Sequence, residues 1–137
     1  MSIRRASQAD ESAVIALWLA CELVTHYNDP SDDFRFAVCG VCSDVLVNED
    51  ETGQIDGTVM VGHDGHRGWL YYVATAPQAR GAGLGRTLVQ AAEQWLQQRG
   101  VVKAQLLVRE MNTKVVAFYE HLGFEITPRV VMGKWLK

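Results

Sequence analysis

Gln78-Ala79-Arg80-Gly81-Ala82-Gly83-Leu84-Gly85 stands between two stretches of opposite character. Before it, Trp69-Leu70-Tyr71-Tyr72-Val73 is aromatic and β-branched and reads as a strand. After it, Leu84, Leu88, Ala91, Ala92 and Trp95 recur at helical spacing and mark a buried helix face. A glycine-rich turn from a strand into a helix has a physical task. The first N–H groups of a helix have no intrahelical acceptor and lie at its positive end. Glycine lets the backbone there come close to a ligand. Together they make a site for a phosphate, and Arg80 and Arg86 add positive charge. Two other phosphate loops are excluded. A Walker A loop ends in Gly-Lys-Ser/Thr, whereas Arg86-Thr87 follows Gly85 here. A dinucleotide loop needs GxGxxG and an acidic ribose ligand about 20 residues on, and neither is present.

Working outward, residues 3–5 can form a first strand, and Ser7 with Asp10 makes a capping-box-like helix start. Val14, Leu17, Trp18 and Cys21 give that helix a buried face. Asn28-Asp29-Pro30 breaks the chain before a second helix over residues 31–42, with Phe34 and Val38 inward. Residues 45–48 and 55–61 read as strands joined by the polar turn 49–53. The turn 62–68 leads to the strand 69–73, which completes a meander. Gly100 suits the end of the helix after the loop. A strand over 104–108, a helix from Asn112 through His121 stopped by Gly123, and a closing strand over 130–136 complete the reading, with room for one more strand at 124–126. The order is β-α-α-β-β-β-α-β-α-β(-β), an α/β chain with a mixed sheet and helices on both faces.

The chain has 137 residues, which fits one domain over residues 1–137. Hydrophobic residues make up 48% and charged residues 21%, as in a globular protein. The net charge of −3 gives no field to draw in nucleic acid. No apolar run approaches the roughly 20 residues that cross a bilayer, and Arg4 and Arg5 precede no apolar signal core. A cytoplasmic protein without nucleic-acid or membrane partners is expected. The cysteines are Cys21, Cys39 and Cys42, an odd number that argues against a disulfide framework. Cys39-Gly40-Val41-Cys42 is a lone CxxC with no second pair to complete a zinc site, so small thiols on a helix and no metal are expected.

Gln78-x-x-Gly81-x-Gly83 resembles the (Gln/Arg)-x-x-Gly-x-(Gly/Ala) motif of GNAT (GCN5-related) N-acetyltransferases. A strand ending Val73-Ala74-Thr75-Ala76-Pro77 precedes it, Asn112 opens a later helix, and Tyr119 follows seven residues after Asn112. The resemblance spans nearly the whole chain. Asn28-Asp29-Pro30 and Gly62-His63-Asp64-Gly65-His66-Arg67-Gly68 narrow it to the small bacterial YpeA-like acetyltransferases, a grouping that names no substrate. It implies the single-domain GNAT acyl-CoA N-acyltransferase fold, acetyl-CoA as cosubstrate, an amine acceptor, and compatibility with a homodimer. By resemblance, the backbone of Arg80, Gly81, Ala82, Gly83, Leu84, Gly85 and Arg86 holds the pyrophosphate. Val73, Ala74 and Thr75, on a bulged and splayed strand, pair with the pantetheine arm and polarise the thioester carbonyl. Asn112 contacts the arm, and the Tyr119 hydroxyl reaches the sulfur as the catalytic acid. Thr75 stands where an aliphatic residue is more usual, with little consequence because the backbone does the binding.

Transfer to an amine asks for a deprotonated nucleophile, a donor for the developing oxyanion and a hydrogen bond to the leaving sulfur. Candidate bases or acceptor-site residues are Asn28, His63, Asp64, His66 and Glu110. A His- and Asp-rich turn is as readily a solvated turn, and Glu110 as readily an exposed strand end. Tyr71 and Tyr72 alternate along a strand, so at most one is expected to face the acceptor pocket. Glu22, Asp29, Asp32 and Asp33 cluster near the first two helices and can attract a cationic amine. Trp18 and Trp95 read as core and Trp69 as pocket lining. The reading is an N-acetyltransferase for a small or amino-acid-like amine. Its alternatives are a protein N-terminal or lysine acetyltransferase, or a non-catalytic acyl-CoA sensor.

Overall fold

Among the described residues five strands pair in sequence order: β1 (Ser2–Arg5), β2 (Ser43–Glu49), β3 (Ile55–His63), β4 (Gly68–Thr75) and β5 (Ala104–Gln105). The first three pairings are antiparallel and the last is parallel, so the sheet is mixed as expected. The helices are α1 (Glu11–Ala20), α2 (Pro30–Cys39), α3 (Leu84–Gln97) and α4 (Thr113–His121). This computed structural model describes residues 2–137. They divide into two compact units, one ending at Leu107 and one running from Val108 to Lys137.

Alternation along β2 sorts the first unit into two layers. Val45 and Val47 are buried with Val14, Leu17, Trp18, Phe34 and Ala37 of α1 and α2. Asp44, one position out of step, meets α3 instead, where its Oδ2 accepts from Trp95 Nε1 at 3.3 Å. Register carries the same sorting into β3. Met60 lies opposite Val45 and Thr58 opposite Val47, on the α1–α2 face. On the other face, a Cβ added at Gly57 would lie 2.7 Å from Leu88 of α3.

Local chemistry explains most boundaries. The Asp10 carboxylate accepts the Ser7 N–H at 2.8 Å and pairs with Arg4 at 2.8 Å, fixing the turn from β1 into α1. Arg4 holds Asp10 well below the usual carboxylate range, at about 2. Asp29 caps α2 by accepting from the Ser31 N–H at 2.9 Å, with Pro30 in the first turn. That helix ends at Cys39, short of the expected 42. The chain turns extended at Gly40, where a Cβ would crowd Ser43 Oγ at 2.7 Å. At the end of α3 the Val101 N–H reaches Leu96 O at 3.1 Å and the Gly100 N–H reaches Gln97 O at 3.1 Å, the two bonds of a Schellman motif.

Three strand expectations are corrected. The one over 104–108 shortens to Ala104–Gln105, and those at 124–126 and 130–136 do not form among the described residues. A strand exists by its ladder. Val130, Val131, Met132 and Leu136 are largely exposed and gain no burial from one.

Helix α1 closes with the same two-bond motif, but Glu22 occupies its left-handed position at φ 59°. Glycine adopts that conformation without the Cβ clash, at the cost of a more flexible unfolded chain. Glu22→Gly should therefore stabilise the protein by about 0.5–1 kcal/mol, read as a higher urea midpoint at unchanged slope.

Candidate active site

The glycine-rich loop starts with a short turn at Pro77–Ala79 and ends at the first turn of α3. Gly81 and Gly83 sit at φ 88° and 80°, and an added Cβ at either would meet nothing within 4 Å. These glycines are required by backbone conformation, and their outer side is open. Gly83 occupies the N-cap position of α3, where no side chain caps the helix. The amides of Leu84, Gly85 and Arg86 thus begin the helix uncapped, at its positive end. Arg80 and Arg86 are exposed beside them. A cavity of about 330 Å³ next to the loop is lined by Asp50 and Asp56 as well as Gln78 and Ala82. Its carboxylates repel a pyrophosphate, so the open side of Gly81 and Gly83 is the face that fits one.

Strand β4 contributes the second half of the site. β5 pairs with it only at Gly68 and Trp69, while β4 continues to Thr75. Pairing between these strands stops six residues before β4 ends. Across from β3, the register slips between Thr58, which faces Ala74, and Met60, which faces Tyr71. Tyr72 and Val73 therefore share the place opposite Val59, a one-residue bulge. Tyr72 takes φ 51°, a conformation that bulky side chains rarely adopt.

Several contacts hold Tyr72 there. Its ring stacks on Trp18 with centroids 3.8 Å apart and planes 11° from parallel. Its carbonyl accepts from Thr58 Oγ1 at 2.9 Å, and that oxygen accepts from Trp18 Nε1 at 2.9 Å. Its hydroxyl donates to Asp33 Oδ2 at 2.7 Å. Partial burial and Asp33 both push the Tyr72 phenol above its usual range, so it stays a donor.

In the second unit, Asn112 precedes α4 in the N-cap position, but its side chain makes no capping bond and is exposed. Tyr119 is buried, its ring against Phe118 at 5.0 Å and Phe124 at 5.6 Å. The bonds from the Phe124 N–H to Tyr119 O and from the Gly123 N–H to Glu120 O, each 3.0 Å, form another Schellman motif. Its usual apolar contact is the Tyr119–Phe124 pair. Burial raises the Tyr119 phenol to about 12.

The profile of the Acetyltransferase (GNAT) family matches residues 12–124. The chain belongs to this family. A protein of Pectobacterium atrosepticum named as an acetyltransferase is 39% identical over 136 residues, covering 99% of this chain and 96% of its own. Among solved structures, an aminoglycoside 6′-N-acetyltransferase from Acinetobacter haemolyticus aligns over 100% of both chains, with TM-score 0.81 and 18% identity. AAC(6′)-Iy, solved with the bisubstrate analogue CoA-S-monomethyl-acetylneamine, aligns over 98% of this chain and 97% of its own, with TM-score 0.84 and 17% identity. At those identities the structures show the shared fold. The protein is an enzyme of the acetyl-CoA-dependent N-acetyltransferase type.

Within this GNAT enzyme the remaining candidates separate. The Asp64 carboxylate accepts the His66 and Arg67 N–H groups at 2.8 Å each, which lowers its pKa and makes it the keystone of the turn. His63 ends β3 on the α3 face, its ring 6.0 Å from Trp95 and its Nδ1 accepting from the Gly65 N–H at 3.3 Å. His66 and Glu110 are exposed. Asn28 is exposed between α1 and α2, its N–H on Thr25 O at 3.2 Å. Cys39 and Cys42 are free and exposed, and half-buried Cys21 lies 3.3 Å from Thr75 O. Among the described residues no group of His, Cys, Asp and Glu is arranged to hold a metal ion. Among the described residues no helix is long and apolar enough to cross a membrane.

The expected alternation of Tyr71 and Tyr72 across the strand does not hold. Tyr71 lies opposite Met60, which packs on the α1–α2 core, and Tyr72 stacks on Trp18 of that core. The bulge cancels the alternation. The linkage Trp18–Thr58–Tyr72–Asp33 was not expected either, because no sequence period reports a bulge. Thr58→Val keeps the shape but strands Trp18 Nε1 and the Tyr72 carbonyl in a buried place. It should cost about 1–3 kcal/mol, read by urea unfolding. Wild-type stability would show that the linkage does not hold the bulge.

Proposed function

We propose that this protein moves the acetyl group of acetyl-CoA to the primary amine of a small acceptor by direct attack. The observation that carries the reading is the bulge at Tyr72–Val73, on a strand whose pairing with β5 has already ended, leading directly to an uncapped helix start. A strand edge without a partner accepts an extended amide chain as one more strand, and an uncapped helix start accepts a pyrophosphate. The order of the two along the chain matches the order of pantetheine and pyrophosphate in the cofactor. In this reading residues 1–137 work as one catalytic domain in the cytoplasm.

The roles follow from chemistry. The thioester supplies an activated acyl carbon and a thiolate leaving group. The backbone of Val73, Ala74 and Thr75 holds the pantetheine amides and directs an N–H at the carbonyl oxygen, where negative charge develops. The amides from Arg80 to Arg86 hold the pyrophosphate, with the Arg80 and Arg86 side chains adding charge. Asn112, its side chain free of capping duty, bonds the pantetheine arm.

Tyr119 serves the leaving sulfur. Its phenol, at about 12, stays protonated throughout the neutral range. A thiol of the cysteine type titrates near 8.5, so full proton transfer from Tyr119 to a relaxed thiolate is uphill by roughly 3.5 units, or about 5 kcal/mol. Its contribution is therefore a hydrogen bond that strengthens as charge builds on sulfur.

Two variants test the reading. Gly83→Val forces a β-branched residue into φ 80° and places its side chain on the open face of the loop. It should weaken CoA and acetyl-CoA by tenfold or more in calorimetry on a folded variant. Unchanged affinity would remove the loop from the cofactor site. Tyr119→Phe keeps the ring contacts and deletes the hydroxyl. It should lower kcat by about one to three orders of magnitude with cofactor affinity nearly unchanged. Wild-type kcat, under conditions where chemistry limits the rate, would exclude Tyr119 from the mechanism.

A further inference from the structure

The bulge leaves three aromatic side chains on one sheet face within four residues. Tyr71 and Trp69 lie opposite Met60 and Gly62, and Tyr72 is drawn to the same side by Trp18. The Trp69 and Tyr71 rings are nearly parallel, 16° apart in plane with centroids separated by 6.3 Å. Tyr71 is 47% exposed and Trp69 is half-buried, so this stack is a wall open to solvent and not core.

Both ends of the wall carry a carboxylate set in place by the fold. At one end the Tyr72 hydroxyl ties Asp33 to β4 through Oδ2, and Oδ1 carries no hydrogen bond among the described residues. At the other, Asp64 is fixed by two backbone N–H groups and lies close enough to Tyr71 to disfavour a charge on its phenol. No Lys or Arg ion pair engages either carboxylate among the described residues. Aromatic faces attract cations, and a wall flanked by unpaired carboxylates strengthens that preference.

The reaction narrows the ligand further. The attacking nitrogen must give up its positive charge before it reacts, so attraction to that charge is lost on the way to the transition state. A charge elsewhere on the acceptor is kept throughout. We infer that the acceptor is an amine bearing a second positive charge, held on the Trp69–Tyr71 wall between Asp33 and Asp64 while its free amine reaches the bulge. The inference rests on the acetyl transfer proposed above and specifies its substrate class.

Three acceptors of one chain length decide it: cadaverine, pentylamine and δ-aminovalerate, whose far ends are cationic, neutral and anionic. Cadaverine should have a kcat/KM about tenfold or more above pentylamine, with δ-aminovalerate the poorest. Added salt should raise its KM and leave that of pentylamine nearly unchanged. Asp64→Asn keeps the Oδ1 that both backbone N–H groups use and removes only the charge. It should reduce the preference severalfold with the acetyl-CoA KM unchanged. Tyr71→Leu should do the same, while Tyr71→Phe, which keeps the ring, should retain most of it. Equal kcat/KM for the three amines, or variants that slow all three equally, would overturn the inference. So would turnover of none of them by a protein that binds acetyl-CoA in calorimetry. A protein that does not bind acetyl-CoA at all would instead contradict the acetyl transfer on which the inference rests.

Discussion

A single residue too many in β4 shapes the active half of this molecule. Placing Tyr72 and Val73 opposite Val59 forces Tyr72 into a left-handed backbone conformation. Such a conformation costs about 1–2 kcal/mol and persists only where its surroundings hold it. Here they do. The Tyr72 ring lies on Trp18, its carbonyl bonds Thr58 and its hydroxyl bonds Asp33. Core packing between α1 and the sheet is thereby converted into local geometry on a strand that has no β5 partner at that point. The backbone groups that polarise a thioester in the proposed reaction come from this segment.

In the proposed reaction the same device links the two substrates. Asp33 belongs to α2, which packs on the α1–α2 face, whereas the bulge belongs to the strand that leads into the phosphate loop. One hydrogen bond joins them. The register slip also turns Tyr71 and Tyr72 to a common side, so the defect that frees backbone for the cofactor in the proposed reaction builds an aromatic surface next to it. Farther along the chain, Gly81 and Gly83 take backbone angles that other residues rarely adopt and leave the start of α3 bare.

Much of this was legible in the sequence because it depends on local chemistry. The loop at Gln78–Gly85, the helix face of Leu88, Ala92 and Trp95, the Ser7–Asp10 start and the Asn28-Asp29-Pro30 break each announce themselves within a few residues. The family followed from the spacing of Gln78, Gly81, Gly83, Asn112 and Tyr119. What could not be read is long-range. The register slip in β4 depends on pairing with β3, and the partners of Tyr72 lie 14 to 54 positions away in the chain. Asp64 looked like a candidate base because its type and turn fit one. Its bonds to the His66 and Arg67 amides, both made through Oδ1, show what fixes the carboxylate in place. The strand expected over 130–136 has no ladder partner among the described residues, and apolar residues without one do not make a strand.

Hydrogen–deuterium exchange of the protein with and without CoA tests the central geometry most directly. In the proposed reading the backbone amides of residues 73–75 and 80–86 have distinct roles, one set toward the pantetheine and the other toward the pyrophosphate. Both segments should slow their exchange together on CoA binding, by about tenfold or more if the bound state dominates, while the amides of β1 and β2 stay unchanged. Tight CoA binding with no protection in either segment would contradict the placement of the cofactor along the bulged strand and its loop.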